Sequence, residues 1–181
     1  MARPRLDLIL VERGLAPTRT RAQALIMAGK VRSGSIRLDK PGVRVEPDIP
    51  LTVDPGERYV GRGGLKLNGA LAMLEGGVTG CAALDVGAST GGFTQVLLEA
   101  GATKVIALDV GRGQLDWTLR TDPRVTVMEG FNARHLEPSD LPFTPDLAVI
   151  DVSFISLVLI LPAVFRCLPD HGRVVALVKP Q

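Results

Sequence analysis

Two cysteines in 181 residues are too few for a disulfide scaffold, and Cys81 and Cys167 match no metal-ligand spacing. Both stand among apolar neighbours and are expected to be core residues. The two histidines, His135 and His171, also lack ligand spacing, so no metal site is expected. Long apolar runs are missing as well. The longest, Val152 to Phe165, is interrupted by Ser153, Ser156 and Pro162 and falls short of the ~20 residues that span a bilayer. Charged residues break up the start of the chain, so no secretory leader is expected there. Neither the G-x-G-x-x-G spacing of dinucleotide folds nor a Walker lysine occurs. These absences point to a reducing, cytoplasmic setting without a membrane partner.

Apolar residues make up 46% of the chain, enough for a real core, and the net charge is only +2. That charge is unevenly spread. Residues 1–60 hold 11 Lys+Arg against 7 Asp+Glu, whereas residues 61–181 hold 10 against 12. A basic front end on a nearly neutral body reads as an appended module for a polyanion.

The front end has the pattern of a helical hairpin on a β-ribbon. Leu6, Ile9 and Leu10 share one helical face, and Gly14 stops that helix. Thr18 caps a second helix that buries Ala22, Leu25 and Ile26, exposes Arg19, Arg21 and Gln23, and ends at Gly29. Short strand candidates follow at Val31, at Ile36 and Leu38, at Val43 and Val45, and at Leu51 and Val53. Ser33-Gly34 and Lys40-Pro41-Gly42 punctuate them as turns. Pro55-Gly56 marks a linker, giving domains 1–57 and 58–181.

Beyond the linker the period changes. Residues 61–75 look helical, with Leu67, Leu71 and Leu74 in register. Strands are expected at Ala82–Val86, Lys104–Asp109, Val125–Met128, Leu147–Asp151 and Val174–Val178. Helices are expected at Phe93–Ala100, Gln114–Arg120 and Ser156–Cys167. Strands alternating with helices imply an α/β fold, a doubly wound parallel sheet preceded by a small α+β domain.

The turn Asp85-Val-Gly-Ala-Ser-Thr-Gly91 joins a strand to a helix. That places backbone N–H groups and a helix N-terminus beside a ligand at the carboxyl edge of the sheet. Asp85, Gly87, Ala88, Ser89, Thr90 and Gly91 are the candidate contacts. Such a turn alone suits NAD, S-adenosylmethionine or no ligand. Asp109 closes the next strand, where an acid holds ribose hydroxyls. Asn132 and Ala133 follow the third strand, where they suit an adenine edge and face. With the dinucleotide spacing missing, these features favour S-adenosylmethionine.

Three polar residues surround that pocket: Lys66 in Gly63-Gly-Leu-Lys-Leu67, Asp151 in Val149-Ile-Asp-Val-Ser153, and Lys179 in Leu177-Val-Lys-Pro180. Taken singly, two of them have a plain structural explanation, whereas a lysine such as Lys179 is rarer at the end of a strand. Lys66 would be a surface lysine, and Asp151 a helix cap. Taken together they suit activation of a ribose hydroxyl against an electrophilic methyl group, with Lys179 acting on the hydroxyl, Asp151 orienting Lys179, and Lys66 steadying Asp151 or a phosphate.

Four segments carry a family resemblance: Arg58-Tyr-Val-Gly-Arg-Gly-Gly-Leu-Lys-Leu67, Asp85-Val-Gly-Ala-Ser-Thr-Gly-Gly-Phe-Thr94, Asp151-Val-Ser-Phe-Ile-Ser156 and Val178-Lys-Pro-Gln181. Together they resemble the TlyA, or hemolysin-A-like, family of S4-domain and FtsJ-like RNA methyltransferases, over essentially the whole chain. Residues 4–54 resemble an S4 domain, with Arg5-Leu-Asp at its start and Gly14-Leu-Ala-Pro-Thr-Arg19 at its hairpin turn. The resemblance implies S-adenosylmethionine-dependent 2′-O-methylation of ribosomal RNA, free or in ribosomal subunits. It implies a Lys-Asp-Lys-Glu tetrad, of which Lys66, Asp151 and Lys179 match the first three members. Arg5, Arg19, Arg21, Lys30 and Arg32 are the expected RNA contacts.

The family's glutamate has no counterpart before Gln181, and Gly61 stands where the family often has serine. The chain is therefore expected to be a shortened family member, a poor methyltransferase with an incomplete sheet whose exposed edge permits dimerisation. A non-catalytic RNA-binding protein is the alternative reading. A membrane-active hemolysin is disfavoured by the missing span.

Overall fold

The computed structural model describes residues 3–54 and 58–179. The linker expected at Pro55-Gly56 and the terminal Pro180-Gln181 lie outside the described residues. The chain divides into two compact units, Met1–Arg58 and Tyr59–Gln181.

In the first unit, helix α1 (Leu6–Glu12) and helix α2 (Arg19–Met27) pack on a small antiparallel sheet. Its strands are β1 (Val31–Ser33), β2 (Ile36–Leu38) and β3 (Thr52–Val53), in the order β2-β1-β3. Gly14 ends α1 with φ +69°, a left-handed conformation that glycine adopts without steric cost. The Thr18 hydroxyl accepts the Arg21 N–H at 3.2 Å and caps α2. Leu6, Leu10, Ile26 and Val31 form the fully buried centre. The Val43 and Val45 strand does not form. Arg44 instead makes an isolated antiparallel bridge with Arg5, flanked by Leu6 N–H to Val43 O and Val45 N–H to Pro4 O. Pro41, Pro47 and Pro50 crowd this stretch, and proline has no N–H to extend a ladder.

The second unit opens with α3 (Gly63–Leu71). It continues through β4 (Ala82–Val86), α4 (Gly92–Glu99), β5 (Lys104–Asp109), α5 (Trp117–Arg120), β6 (Val125–Glu129), β7 (Leu147–Ile150), α6 (Leu157–Arg166) and β8 (Arg173–Ala176). Two 3-10 turns lie at Ala133–His135 and Pro138–Asp140. The sheet is wholly parallel in the order β6-β5-β4-β7-β8. β4 is central and buried along its whole length. One face packs Leu67, Val96 and Leu97 against the sheet, and the other packs Leu136, Ile160 and Val164. The chain leaves β4 for β5 on one side and reaches β7 on the other. This reversal opens a crevice at the carboxyl ends of the central strands, where such folds bind ligands.

Several boundaries move. α5 starts at Trp117, because the Asp116 side chain accepts the Thr118 N–H at 2.8 Å and caps it there, leaving Gln114 in the preceding loop. Ser156 caps α6 in the same way. Cys167 is buried, as expected of a core residue, whereas Cys81 is half-buried with its sulfur 3.1 Å from Arg173 Nη2.

Candidate active site

The turn after β4 builds the crevice floor. Gly87 has φ +87° and Gly91 φ +96°, and Ser89 between them has φ +49°. A Cβ on Gly87 would lie 2.6 Å from the Asp151 carbonyl oxygen, so only glycine lets the ends of β4 and β7 approach this closely. A Cβ on Gly91 would strike the Leu119 side chain at 2.3 Å. Gly91 thus serves the packing of the turn against α5 and does not line the crevice.

Asp109, at the end of β5, ties this floor to the next loop. Its Oδ2 accepts the Ser89 N–H and its Oδ1 the Gly111 N–H, both at 2.7 Å. Gln114 joins the same cluster, 3.3 Å from Ser89 Oγ. These residues form one wall of a cavity of about 560 Å³, with Leu108, Val110, Phe131 and Ala133 as its apolar side and Gly87 and Asp151 at its far end. Asn132 lines it too. Its Oδ1 accepts the Arg134 N–H at 3.1 Å, leaving its amide nitrogen as the group for a ligand. An acid for hydroxyls, an apolar slot and a glycine floor together fit an adenosyl group.

A second cavity of about 590 Å³ shares Gly87, Ser89, Asp151 and Ser153 with the first, and adds Arg62, Lys66, Ala88, Thr90 and Lys179. Here the three residues singled out in the sequence meet. Lys179 Nζ lies 2.6 Å from Asp151 Oδ1, and Lys66 Nζ lies 3.7 Å from Asp151 Oδ2. Asp151 is mostly shielded, at 16% exposure, while Lys66 is half exposed. Lys179 Nζ donates to Val152 O at 2.9 Å and to Ser153 Oγ at 3.0 Å. Asp151 Oδ1 accepts no aligned hydrogen bond, so its pairing with Lys179 is a charge contact beside those two hydrogen bonds. Ser153 was not singled out as a functional residue. Its place two residues after Asp151 is the signal the sequence offers.

Asp85 departs from expectation. It is fully buried in β4 and lines neither cavity. Its Oδ2 accepts the Thr94 hydroxyl at 2.7 Å. The Thr94 backbone N–H also bonds to it, so Asp85 caps α4, whose own N-cap residue is a glycine. Burial pushes its pKa up to about 7, against the pull of the Thr94 hydroxyl and N–H, with the charges of Asp109 and Asp151 adding to the rise.

In the first unit the expected RNA contacts separate into two groups. Arg21 and Arg32 are exposed and Lys30 is half-buried. Arg5 and Arg19 instead converge on Asp7, the fully buried carboxylate of the Arg5-Leu-Asp segment, for which no role was expected. Gln23, expected on the exposed face of α2, donates to it as well. The hydrogen bonds from Arg5 hold the Asp7 carboxyl well below the usual carboxylate range against the opposing effect of burial, aided by Gln23 and Arg19.

Among the described residues no helix is long and apolar enough to cross a membrane, and no group of three or more His, Cys, Asp or Glu could hold a metal ion. A family model for FtsJ-like methyltransferases matches residues 59–181, and one for the S4 domain matches residues 4–48. The chain is 52% identical over 181 residues to a Bacillus subtilis protein that carries the rRNA methyltransferase name YqxC, covering 98% of this chain and 64% of that one. It is 50% identical to the 16S/23S rRNA (cytidine-2′-O)-methyltransferase TlyA of Mycobacterium tuberculosis, covering 99% of this chain and 68% of that one. A solved Streptococcus thermophilus chain with a hemolysin name is 48% identical, with a TM-score of 0.67 over 99% of this chain and 66% of its own length. The chain thus spans about two thirds of the length of these relatives.

Proposed function

The chain belongs to the FtsJ-like methyltransferase family, and we propose that it transfers a methyl group from S-adenosylmethionine to a ribose 2′-hydroxyl of ribosomal RNA. In this reading residues 58–181 carry the chemistry, and residues 1–57 hold the RNA. The observation that carries the proposal is Asp151 paired to Lys179 and Lys66 on the wall shared by the two cavities.

S-adenosylmethionine supplies the methyl group. Asp109 would hold its ribose hydroxyls, and the apolar side of the first cavity would take its adenine. The RNA ribose enters the second cavity. The Lys179 ammonium, fixed by Val152 O, Ser153 Oγ and Asp151, lies beside the incoming hydroxyl and stabilises the negative charge that grows on its oxygen. Lys66, more exposed, steadies Asp151 and meets the neighbouring phosphate. Bound there, S-adenosylmethionine would supply its methyl group to the hydroxyl oxygen, and the hydroxyl proton would pass to water. Alignment of the two reactants across the shared wall supplies much of the acceleration.

Support for ribosomal RNA as acceptor comes from the S4 match, the basic first unit and the names of the relatives. Transfer of labelled methyl to ribosomal RNA, with the product identified as a 2′-O-methyl nucleoside by mass spectrometry, tests the proposal. Label on a base, or none on RNA, would overturn it.

A further inference from the structure

Asp7 is the only buried charged side chain among the described residues of the first unit. It stands in the first turn of α1, and its two oxygens take four hydrogen bonds. Oδ1 accepts from Arg5 Nε at 3.0 Å. Oδ2 accepts from Arg5 Nη2 at 3.0 Å, Arg19 Nε at 3.0 Å and Gln23 Nε2 at 2.9 Å. One negative charge thereby holds two positive ones side by side. Each guanidinium has five N–H donors, so Arg5 keeps three and Arg19 four. None of these has a protein partner among the described residues. The side chains are 39% and 53% exposed. Gly42 leaves room for Arg5, since a Cβ there would lie 3.3 Å from its Nη1.

We propose that Asp7 is a positioning residue for RNA binding, locking Arg5 and Arg19 into one rigid pair of guanidiniums that grips neighbouring phosphates. The inference rests on reading residues 1–57 as the RNA-binding module. A free arginine loses rotamer freedom when it meets a phosphate, and holding it beforehand removes that cost. The planar fork also has to be aimed before it bonds a phosphate through two donors. Two unscreened guanidiniums would repel, and the carboxylate between them cancels that repulsion.

A purely structural Asp7, fastening α1 to α2, predicts a different outcome from a positioning one. Asp7→Asn removes a negative charge from a basic surface. Electrostatics alone then strengthens RNA binding and steepens its salt dependence. Loss of positioning weakens binding and makes the salt dependence shallower.

The experiment measures binding of the full 181-residue chain to transcribed 16S and 23S ribosomal RNA across a salt series, with folding checked by circular dichroism. Asp7→Asn is expected to bind about tenfold more weakly despite its added positive charge. Arg19→Ala should weaken the wild-type chain but have little further effect in the Asp7→Asn background. If Asp7→Asn fails to fold, Gln23→Met and Arg19→Lys carry the test. Both leave net charge unchanged while loosening the cluster, and both should bind roughly threefold or more weakly. A folded Asp7→Asn that binds as tightly as wild type, or more tightly, overturns the inference and leaves the RNA-binding reading standing. Wild-type binding by both Gln23→Met and Arg19→Lys does the same. A wild-type chain that binds neither RNA overturns the RNA-binding reading and the inference together.

Discussion

Thr94 donates its hydroxyl to Asp85 at 2.7 Å across the turn between β4 and α4, and neither residue touches solvent. The other Asp85 oxygen, Oδ1, is buried without a hydrogen-bond partner. An acid at a helix N-terminus is normally favoured as its anion, but here burial dominates and lifts its pKa from 3.8 to about 7.

The sign of the stability effect follows from that direction. Between pH 4 and 7 the folded chain holds a proton on Asp85 that the unfolded chain has released. The stabilisation is fully present below about pH 4 and is lost as pH rises through about 7. The loss should be roughly 2–4 kcal/mol for a group this buried. Denaturant unfolding of the second unit should show it, and Asp85→Asn should flatten the slope. Parallel curves for the two proteins would mean that Asp85 does not titrate in this range.

Gly87 and Gly113 both have positive φ, +87° and +69°, but differ in their surroundings. A Cβ at position 87 meets the Asp151 carbonyl, whereas one at position 113 meets nothing within 4 Å. Gly113→Ala should cost about 1 kcal/mol of strain and leave ligand binding intact. Gly87→Ala should cost about 3 kcal/mol or more and abolish S-adenosylmethionine binding, because it displaces Asp151 as well. Thermal melting and calorimetric titration of both variants check this, and equal effects would remove the argument from close approach.

Asp109→Ala should weaken S-adenosylmethionine binding by roughly 1–3 kcal/mol, through lost acceptors for the ribose hydroxyls and for the Ser89 and Gly111 N–H groups. Isothermal titration with S-adenosylmethionine and with NAD separates the two ligand readings of the glycine turn. Tight NAD binding with none for S-adenosylmethionine would reverse the assignment.

The parallel sheet was legible because its strands are short apolar runs bounded by turn residues, Gly80 and Gly87 around Ala82–Val86 and Pro145-Asp146 before Leu147–Ile150. Asp151 and Lys179 stood out because each follows such a strand, and topology brings them to adjacent strand ends, whereas Lys66 lies within α3 and stood out only by its glycine-rich segment. Asp85 misled because an acid beside a glycine turn reads as a ligand group, whereas its place in a central strand covered on both faces turns it inward. Asp7 was illegible for a similar reason. Its partners Arg5, Arg19 and Gln23 come together only when α1 packs on α2, and arginines read singly look like free surface charge. In the ribbon, strand periodicity at Val43 and Val45 lost to the prolines around it, which left one bridge where a strand was expected.

In the proposed reaction Lys179, held by Asp151, acts on the acceptor hydroxyl rather than on the cofactor. The most direct measurement pairs two readings on Lys179→Ala: the affinity for S-adenosylmethionine by calorimetry, and the single-turnover rate of methyl transfer to ribosomal RNA at saturating cofactor. The expected result is an affinity within about threefold of wild type and a rate at least ~100-fold lower, the loss that follows when a charge that stabilises a developing oxyanion is removed. A variant that transfers methyl at the wild-type rate, or one whose only defect is failure to bind the cofactor, would contradict it.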